Sequence, residues 1–289
     1  MNLPGTSTAA QYLSRPEGRI AYTVEGSGPL VVLVPGMGDL RSTYRELTGP
    51  LRGAGYRVAV TDLRGHGGSD TTFTTLGDVA TGGDLLALVN HLGGPAVLVG
   101  NSMGAAASAW AAAERPDLVG GLVLLAPLLR EPKPGAVARA ANHAMYRALF
   151  VRPWGAAVWA WFYRSLNKGT RAPWLEEHVD AIHASLREPG RLRSFRHLTL
   201  ALDHRAVEAR LPEVHAPAIA VIGSLDPDYP DPADELTWRA ATVAAEPILV
   251  PGVGHYPHSQ RPDVVVPAVV SFLASLPRGT DGWTVSTRG

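Results

Sequence analysis

The sequence predicts an α/β protein with a mostly parallel sheet, flanking helices and an all-helical insertion. Short apolar runs alternate with segments of helical periodicity over residues 30–126 and again over residues 218–276. This alternation is typical of βαβ units and therefore of a parallel sheet. Residues 128–212 instead carry only helical periodicity, interrupted at prolines. We therefore expect residues 1–127 and 213–289 to form a core domain, and residues 128–212 to form a helical lid, called the cap below.

Each predicted element follows from its local pattern. The continuous apolar run 30–34 has strand length and no polar alternation, which indicates a strand buried on both faces. The predicted strands are 12–15, 19–25, 30–34, 57–61, 96–100 and 121–126 before the cap, and 218–222 and 246–250 after it. The predicted helices of the core are 41–54, 75–91, 105–113, 233–244 and 262–276. The polar tail 278–289 is expected to be frayed.

Composition excludes several classes of protein. The 289 residues contain no cysteine, which rules out disulfides, a thiol nucleophile and cysteine-ligated metals. The strongly apolar stretch 154–163 is about half of the roughly 20 residues that a spanning helix needs. The first 18 residues lack the pattern of a signal peptide. We therefore expect a cytoplasmic protein that neither inserts stably into membranes nor binds nucleic acid.

Charge is uneven although the formal net charge is zero. Residues 128–212 hold 14 Lys and Arg against 7 Asp and Glu, while the rest of the chain holds 12 against 19. A solvated helical face explains such a surplus, and attraction of anionic substrates or lipid surfaces is the alternative.

The sequence around Ser102 has the pattern of an exposed serine nucleophile. The strand 96–100 leads into Gly100-Asn101-Ser102-Met103-Gly104, and an alanine-rich helix follows. A serine on a tight strand-to-helix turn stands clear of the sheet, and both glycines avoid a clash between a Cβ and the neighbouring backbone. The pattern predicts a nucleophile elbow.

A serine nucleophile needs a base, and the base needs an orienting acid. Asp226 and His255 each follow a predicted strand, in the chain order serine, aspartate, histidine. The carboxyl ends of parallel strands meet at one edge of the sheet, so residues far apart in sequence can converge there. Asp228 and Glu131 remain alternative acids, and His258 remains an alternative base.

Other polar residues have simpler explanations. Asp62, Arg64 and His66 are expected to tie their own loop together, and Asp39 to act as a turn or N-cap residue. The histidines of the cap show no convincing metal-ligand spacing, and we expect ordinary surface or packing roles for them. They are His143, His178, His183, His197 and His204.

Five motifs give the chain a resemblance to the α/β-hydrolase superfamily, over nearly its whole length. They are V-P-G-M-G at 34–38, D-L-R-G-H-G-G-S at 62–69, G-N-S-M-G at 100–104, G-S-L-D-P-D-Y-P at 223–230 and G-V-G-H at 252–255. Asp226 has the family's spacing for the acid, three residues after Gly223 and four before Pro230. The chain departs from the family at Pro35, where a histidine usually supports the oxyanion loop.

The resemblance implies a role for each matched residue. Ser102 would be the nucleophile, His255 the general base and then the general acid, and Asp226 the orienting acid. The backbone amides of Met37 and Met103 would form the oxyanion hole. No metal or other cofactor is implied.

The resulting hypothesis is a serine esterase or lipase-like enzyme that cleaves a carboxylic ester of a small molecule through an acyl-enzyme. The aromatic content of the cap suggests an apolar acyl, aromatic or polyketide-like substrate, with Trp159 and Phe162 lining the pocket. C–C bond hydrolase, lactonase, thioesterase and cyclase chemistry use the same triad and remain alternatives. A ligand-binding receptor with a nearly idle site is the alternative from another class.

Overall fold

The computed structural model describes residues 9–130, 136–279 and 282–285, with the backbone alone for residues 136–139. Its main sheet has eight strands in the order β1-β2-β4-β3-β5-β6-β7-β8. The strands are β1 Gln11–Arg15, β2 Gly18–Glu25, β3 Leu30–Val34, β4 Arg57–Thr61, β5 Ala96–Asn101, β6 Val119–Leu125, β7 Ala218–Gly223 and β8 Ala245–Val250. Strand β2 is antiparallel to both of its neighbours, and all pairs from β4 to β8 are parallel. The predicted fold class is confirmed.

Eleven helices are found in the described part of the chain. Those before the cap are α1 Arg45–Gly53, α2 Asp78–His91 and α3 Met103–Glu114. The next are α4 Ala136–Leu149, α5 Gly155–Leu166, α6 Leu175–Arg187, α7 Arg191–Ala201 and α8 Arg205–Glu208. The last are α9 Pro232–Thr242, α10 Pro257–Gln260 and α11 Pro262–Ser275. Short 3-10 turns occupy Arg41–Tyr44 and Leu211–Glu213.

Two apolar layers cover the faces of the sheet. Strand β3 shows why a continuous apolar run is needed, because its side chains alternate between the layers. Val31 and Leu33 pack with residues of α1 and α11, whereas Val32 and Val34 pack with residues of α2 and α3. The sheet is therefore buried on both faces by two separate apolar clusters.

Helices α4 to α7 contribute to a third apolar cluster, which includes Trp159, Phe195 and, from the core domain, Tyr256. At the C-terminal end of the cap, Val207 and Leu211 pack in the apolar layer that contains residues of α2 and α3. The cap boundaries at 128 and 212 stay a prediction. No helix in the described ranges is both long and apolar enough to cross a membrane.

Some element boundaries differ from the predicted ones. Strand β6 begins two residues earlier than expected, and α2 begins three residues later. The expectation of a frayed tail is wrong for the short hairpin of β9 Arg278–Gly279 and β10 Gly282–Trp283. The buried Trp283 indole donates to Leu30 O at 2.7 Å and stacks on Tyr56, so one aromatic side chain attaches the tail to the sheet.

Candidate active site

Ser102 lies between β5 and α3 in a strained backbone conformation. Its φ angle is +55°, a region that costs a non-glycine residue on the order of 1–3 kcal/mol. A Cβ at Gly100 would collide with the backbone of Gly104, and a Cβ at Gly104 would collide with the carbonyl oxygens of Val34 and Pro35. Both glycines are therefore required for α3 to pack this closely, as the sequence predicted.

His255 follows β8 and contacts two carboxylates that follow β7. Its Nδ1 lies 2.8 Å from Asp226 Oδ2 and 3.4 Å from Asp228 Oδ2. The second oxygen of Asp226 accepts a bond from the Asp228 backbone amide at 3.0 Å, which fixes the orientation of the carboxylate. Asp226 is buried, whereas Asp228 is partly exposed. The geometry favours Asp226 as the partner of the imidazole.

The two carboxylates also set the ionisation of His255. Burial alone would lower the pKa of the imidazole, but the negative charges of Asp226 and Asp228 outweigh burial and raise the pKa to about 9. Burial raises the pKa of the Asp228 carboxyl, and the charge of Asp226 adds to that increase. The site therefore stabilises an imidazolium, the species that forms when a histidine accepts a proton from serine.

The serine turn and the histidine loop are joined directly. Asn101, at the end of β5, donates from Nδ2 to His255 O and to Leu125 O, both at 3.2 Å. The Ser102 hydroxyl makes no hydrogen bond to any residue within the described ranges. Ser102 is 8% exposed and His255 is 1% exposed, so both residues lie in a largely covered site.

A turn formed by residues 36–39, called the oxyanion turn below after the role that the resemblance implies, lies beside Ser102. A Cβ placed on Gly36 would be 3.0 Å from Ser102 Cβ. The amide of Gly38 is occupied, since it donates to His66 Nε2 at 3.0 Å. The amides of Met37 and Met103 donate to no group in the part of the chain that the structure describes, which leaves them available as donors to a substrate oxygen.

His66 supports the oxyanion turn from the loop 62–69. Its Nδ1 lies 2.8 Å from Arg64 O, so that nitrogen carries the proton and Nε2 accepts from Gly38. Burial lowers the pKa of His66 to about 4, which keeps the ring neutral and able to accept. Asp62 accepts from the amides of Arg41 and Gly68. The bonds from His66 to Arg64 O and from the Gly68 amide to Asp62 lie within the loop, as expected, but those to Gly38, Arg41 and Asp84 tie the loop to other segments.

Three side chains of the cap contact the oxyanion turn, and sequence reasoning assigned none of them to it. The indole of Trp159 donates to Gly38 O at 2.9 Å, and the phenol of Tyr163 donates to Asp39 Oδ2 at 3.1 Å. His178 Nε2 lies 2.6 Å from Asp39 Oδ1, with both side chains fully buried. Asp39 also accepts from the Leu40 amide at 2.7 Å. The expectation of a simple turn residue at Asp39 thus captures only one of its contacts.

The pocket prediction for the cap aromatics is untested. Trp159 is buried among Phe150 and Phe195, with ring centroids 6.2 and 4.7 Å away, and Phe162 is 38% exposed beside it. Trp161, on the same helix, is 67% exposed and lies at the protein surface. Substrate contact by Trp159 or Phe162 remains a prediction.

His258, the alternative base, contacts residues of the 41–44 turn instead of a carboxylate that follows β7. His258 lies 3.2 Å through Nε2 from Thr43 Oγ1 and stacks on Tyr44, and burial lowers its pKa to about 3. Glu131 lies outside the described residues. His255 has the carboxylate partners that His258 lacks.

Asp226, Asp228 and His255 form the only cluster of three potential metal ligands within the described ranges. Their ligand atoms lie within 4.8 Å of one another. An imidazole that is hydrogen-bonded to carboxylates gives the same short distances. This donor set alone is therefore no indication of a metal site.

Arginines of the cap surround a surface cavity of about 190 Å³. Arg152, Arg193 and Arg196 line it together with one acidic residue, Glu188, and Phe150 and Leu192 form apolar walls. The positive surplus of residues 128–212 is therefore partly concentrated on the cap surface. Attraction of anions by this surface remains a prediction.

Comparisons with known proteins agree with the fold. The profile of the Alpha/beta hydrolase family matches residues 31–268. An uncharacterized protein of Mycobacterium tuberculosis is 29% identical over 263 residues, which cover 87% of this chain and 72% of that protein. An alpha/beta hydrolase fold protein from Burkholderia ambifaria superposes with a TM-score of 0.78 at 21% identity, over 90% of this chain and 97% of that one. A thermophilic esterase from Thermogutta terrifontis gives a TM-score of 0.74 at 24% identity, over 92% and 98% of the two chains. The chain belongs to the α/β-hydrolase family.

Proposed function

We propose that this chain is a serine hydrolase that cleaves a carboxylic ester of a small molecule through an acyl-enzyme on Ser102. The observation that carries the proposal is the strained Ser102 on a strand-to-helix turn, joined through Asn101 to a histidine that is paired with Asp226. A family match supports hydrolase chemistry but leaves the bond cleaved open.

Each step uses a group whose surroundings suit it. His255 takes the proton of Ser102 as Oγ attacks the ester carbonyl, and Asp226 and Asp228 stabilise the imidazolium that results. The amides of Met37 and Met103 bind the oxyanion, and one such donor contributes about 3 kcal/mol. His255 then protonates the leaving alcohol and activates the water that hydrolyses the acyl-enzyme.

The surroundings of the site favour an apolar acyl group or an aromatic ester. The cluster around Trp159 and Phe195 presents aromatic rings near the oxyanion turn, and Phe162 keeps part of its ring exposed. Apolar walls with few polar groups are typical of sites for such substrates.

A substrate panel tests the proposal. Wild type and Ser102→Ala are assayed with p-nitrophenyl esters of increasing acyl length, a thioester and a lactone. We expect a burst of nitrophenol from the wild type and a loss of about six orders of magnitude in Ser102→Ala. Ser108→Ala, on the same helix α3, is the matched control, since its hydroxyl donates to Gly104 O. If Ser102→Ala kept a tenth of the activity, Ser102 would not be the nucleophile.

A further inference from the structure

Asp39 is the side chain of the oxyanion turn that the cap holds, beside the bonds that His66 and Trp159 make to the backbone of Gly38. The turn is closed by a bond of 3.3 Å from the Asp39 amide to Gly36 O, which is long for a backbone hydrogen bond. Met37 lies between these two residues, so the direction of its amide depends on how firmly Asp39 is held. The backbone of the turn alone holds that position weakly.

The carboxylate of Asp39 receives its long-range hydrogen bonds from the cap. Tyr163 on α5 donates to Oδ2 and His178 on α6 donates to Oδ1, at 3.1 and 2.6 Å. All three side chains are buried. Hydrogen bonds to a buried carboxylate are stronger than neutral ones, and removing one donor leaves a charge poorly satisfied.

Both donors are themselves fixed. His178 Nδ1 lies 3.1 Å from Ser42 Oγ, so the imidazole is held at both nitrogens. The ring of Tyr163 stacks on Tyr256 with centroids 4.6 Å apart. Burial and the charge of Asp39 raise the pKa of Tyr163 well above its usual value, so the phenol stays protonated and able to donate.

Helix α5 also contacts the catalytic histidine. The carbonyl of Leu166, the last residue of the helix, accepts from the backbone amide of His255 at 3.0 Å. Trp159 on the same helix donates to Gly38 O. One element of the cap thus connects the oxyanion turn to the histidine loop, and moving α5 away would break bonds on both sides of Ser102.

We propose that Tyr163 and His178 are positioning residues that hold the Met37 amide in place through Asp39. The proposal rests on the proposed function, because the position of this amide matters only if an oxyanion forms at Ser102. A misplacement of about 1 Å in a catalytic group costs about 100-fold in rate. The cap therefore contributes to turnover as well as covering the site.

The test separates positioning from folding by using the smallest change available. Tyr163→Phe removes one hydroxyl and keeps the stacked ring, and His178→Ala removes the second donor. His178→Gln retains a donor near Nε2. The measurements are kcat per active site titrated with a fluorophosphonate, KM for one p-nitrophenyl ester, the melting temperature, and Ki for an alkyl trifluoromethyl ketone. This ketone forms a hemiketal with serine and places a negative oxygen in the oxyanion hole.

We expect kcat to fall and Ki to rise by the same factor, about 10- to 100-fold, with little change in KM. His178→Gln should recover part of the loss. The controls are Tyr146→Phe, whose ring stacks on Phe150 in the cap, and His183→Ala, which lies on the same helix as His178; both should keep wild-type kcat and Ki.

Wild-type kcat and Ki in both Tyr163→Phe and His178→Ala would overturn the inference, whatever happens to the melting temperature. A loss of kcat without the matching rise in Ki, or an equal loss in the controls, would overturn it too. Activity retained in Ser102→Ala would instead remove the proposed function and this inference with it. An inactive Ser102→Ala beside fully active cap variants would remove the inference alone.

Discussion

The carboxyl edge of the sheet and the helical cap hold the same candidate site by different means. At the sheet edge, Ser102, Asp226 and His255 follow β5, β7 and β8, whose parallel pairing fixes where the chain emerges. In the cap, single side chains such as Tyr163 and His178 reach across to the oxyanion turn. The sheet places the candidate triad through many backbone bonds, whereas the cap contacts the oxyanion turn through a few side chains and the histidine loop through one backbone bond.

This difference determines what a substitution can do in each region. A change at the sheet edge removes a chemical group while the backbone register persists, so rate should fall without loss of the fold. A change in the cap alters packing and positioning together, because its side chains are both buried and hydrogen-bonded. The following experiments are ordered by the size of the effect that we expect.

The largest effect after loss of the nucleophile should come from Asp226. Asp226→Asn should lower kcat by about 10⁴-fold, since an amide cannot stabilise the imidazolium and favours the wrong tautomer of His255. Asp228→Asn, two residues away and matched in chemistry, should cost no more than about tenfold, because Asp228 lies 0.6 Å further from His255 Nδ1. Steady-state kinetics of the two variants compare them, and the opposite order would assign the orienting role to Asp228.

Two neighbouring aromatic residues should separate packing from substrate contact. Trp159 is buried and bonded to Gly38 O, so Trp159→Ala should cost about 3–5 kcal/mol of stability and impair all esters alike. Phe162→Ala, at a half-exposed position on the same helix, should leave the melting temperature near that of the wild type. If Phe162 contacts substrate, kcat/KM of Phe162→Ala should fall for esters with long acyl chains and stay unchanged for short ones. A Trp159→Ala protein that is stable and selectively impaired with long esters would instead place Trp159 in the pocket.

The smallest effect should be a displacement of the pH profile. The base acts only when His255 is neutral, so kcat/KM should rise with pH towards the His255 pKa of about 9. Asp228 contributes to that raised pKa, so Asp228→Asn should move the acidic limb to lower pH. Profiles of both proteins with one ester between pH 5 and 10 measure the change. An unchanged limb, or one moved to higher pH, would contradict the proposed electrostatics.

The features that the sequence reveals are those whose requirements are local. The need for glycine at 100 and 104 can be predicted, because a Cβ at either position would collide with residues a few positions away or at the adjacent strand. Asp226 and His255 can be identified because each lies a few residues after an apolar run. The order of the strands then brings the ends of those runs together. The sheet and the candidate triad could therefore be predicted.

The contacts that the sequence hides depend on docking between distant segments. Asp39 and His178 are 139 residues apart, and nothing in the local pattern of either one indicates the other. Trp283 lies in a polar tail, yet a single buried indole attaches that tail to β3. A single side chain gives no periodic signal in the sequence. These contacts can therefore be identified only in the structure, where the cap and the tail pack onto the sheet.

Covalent trapping of Ser102 tests the central claim most directly. A fluorophosphonate reacts with a serine that a neighbouring histidine activates, and mass spectrometry of the digested protein identifies the labelled residue. We predict one adduct, on Ser102, that is absent in Ser102→Ala and forms far more slowly in His255→Ala. Wild-type protein that stays unlabelled, or an adduct that persists in Ser102→Ala, would contradict the account.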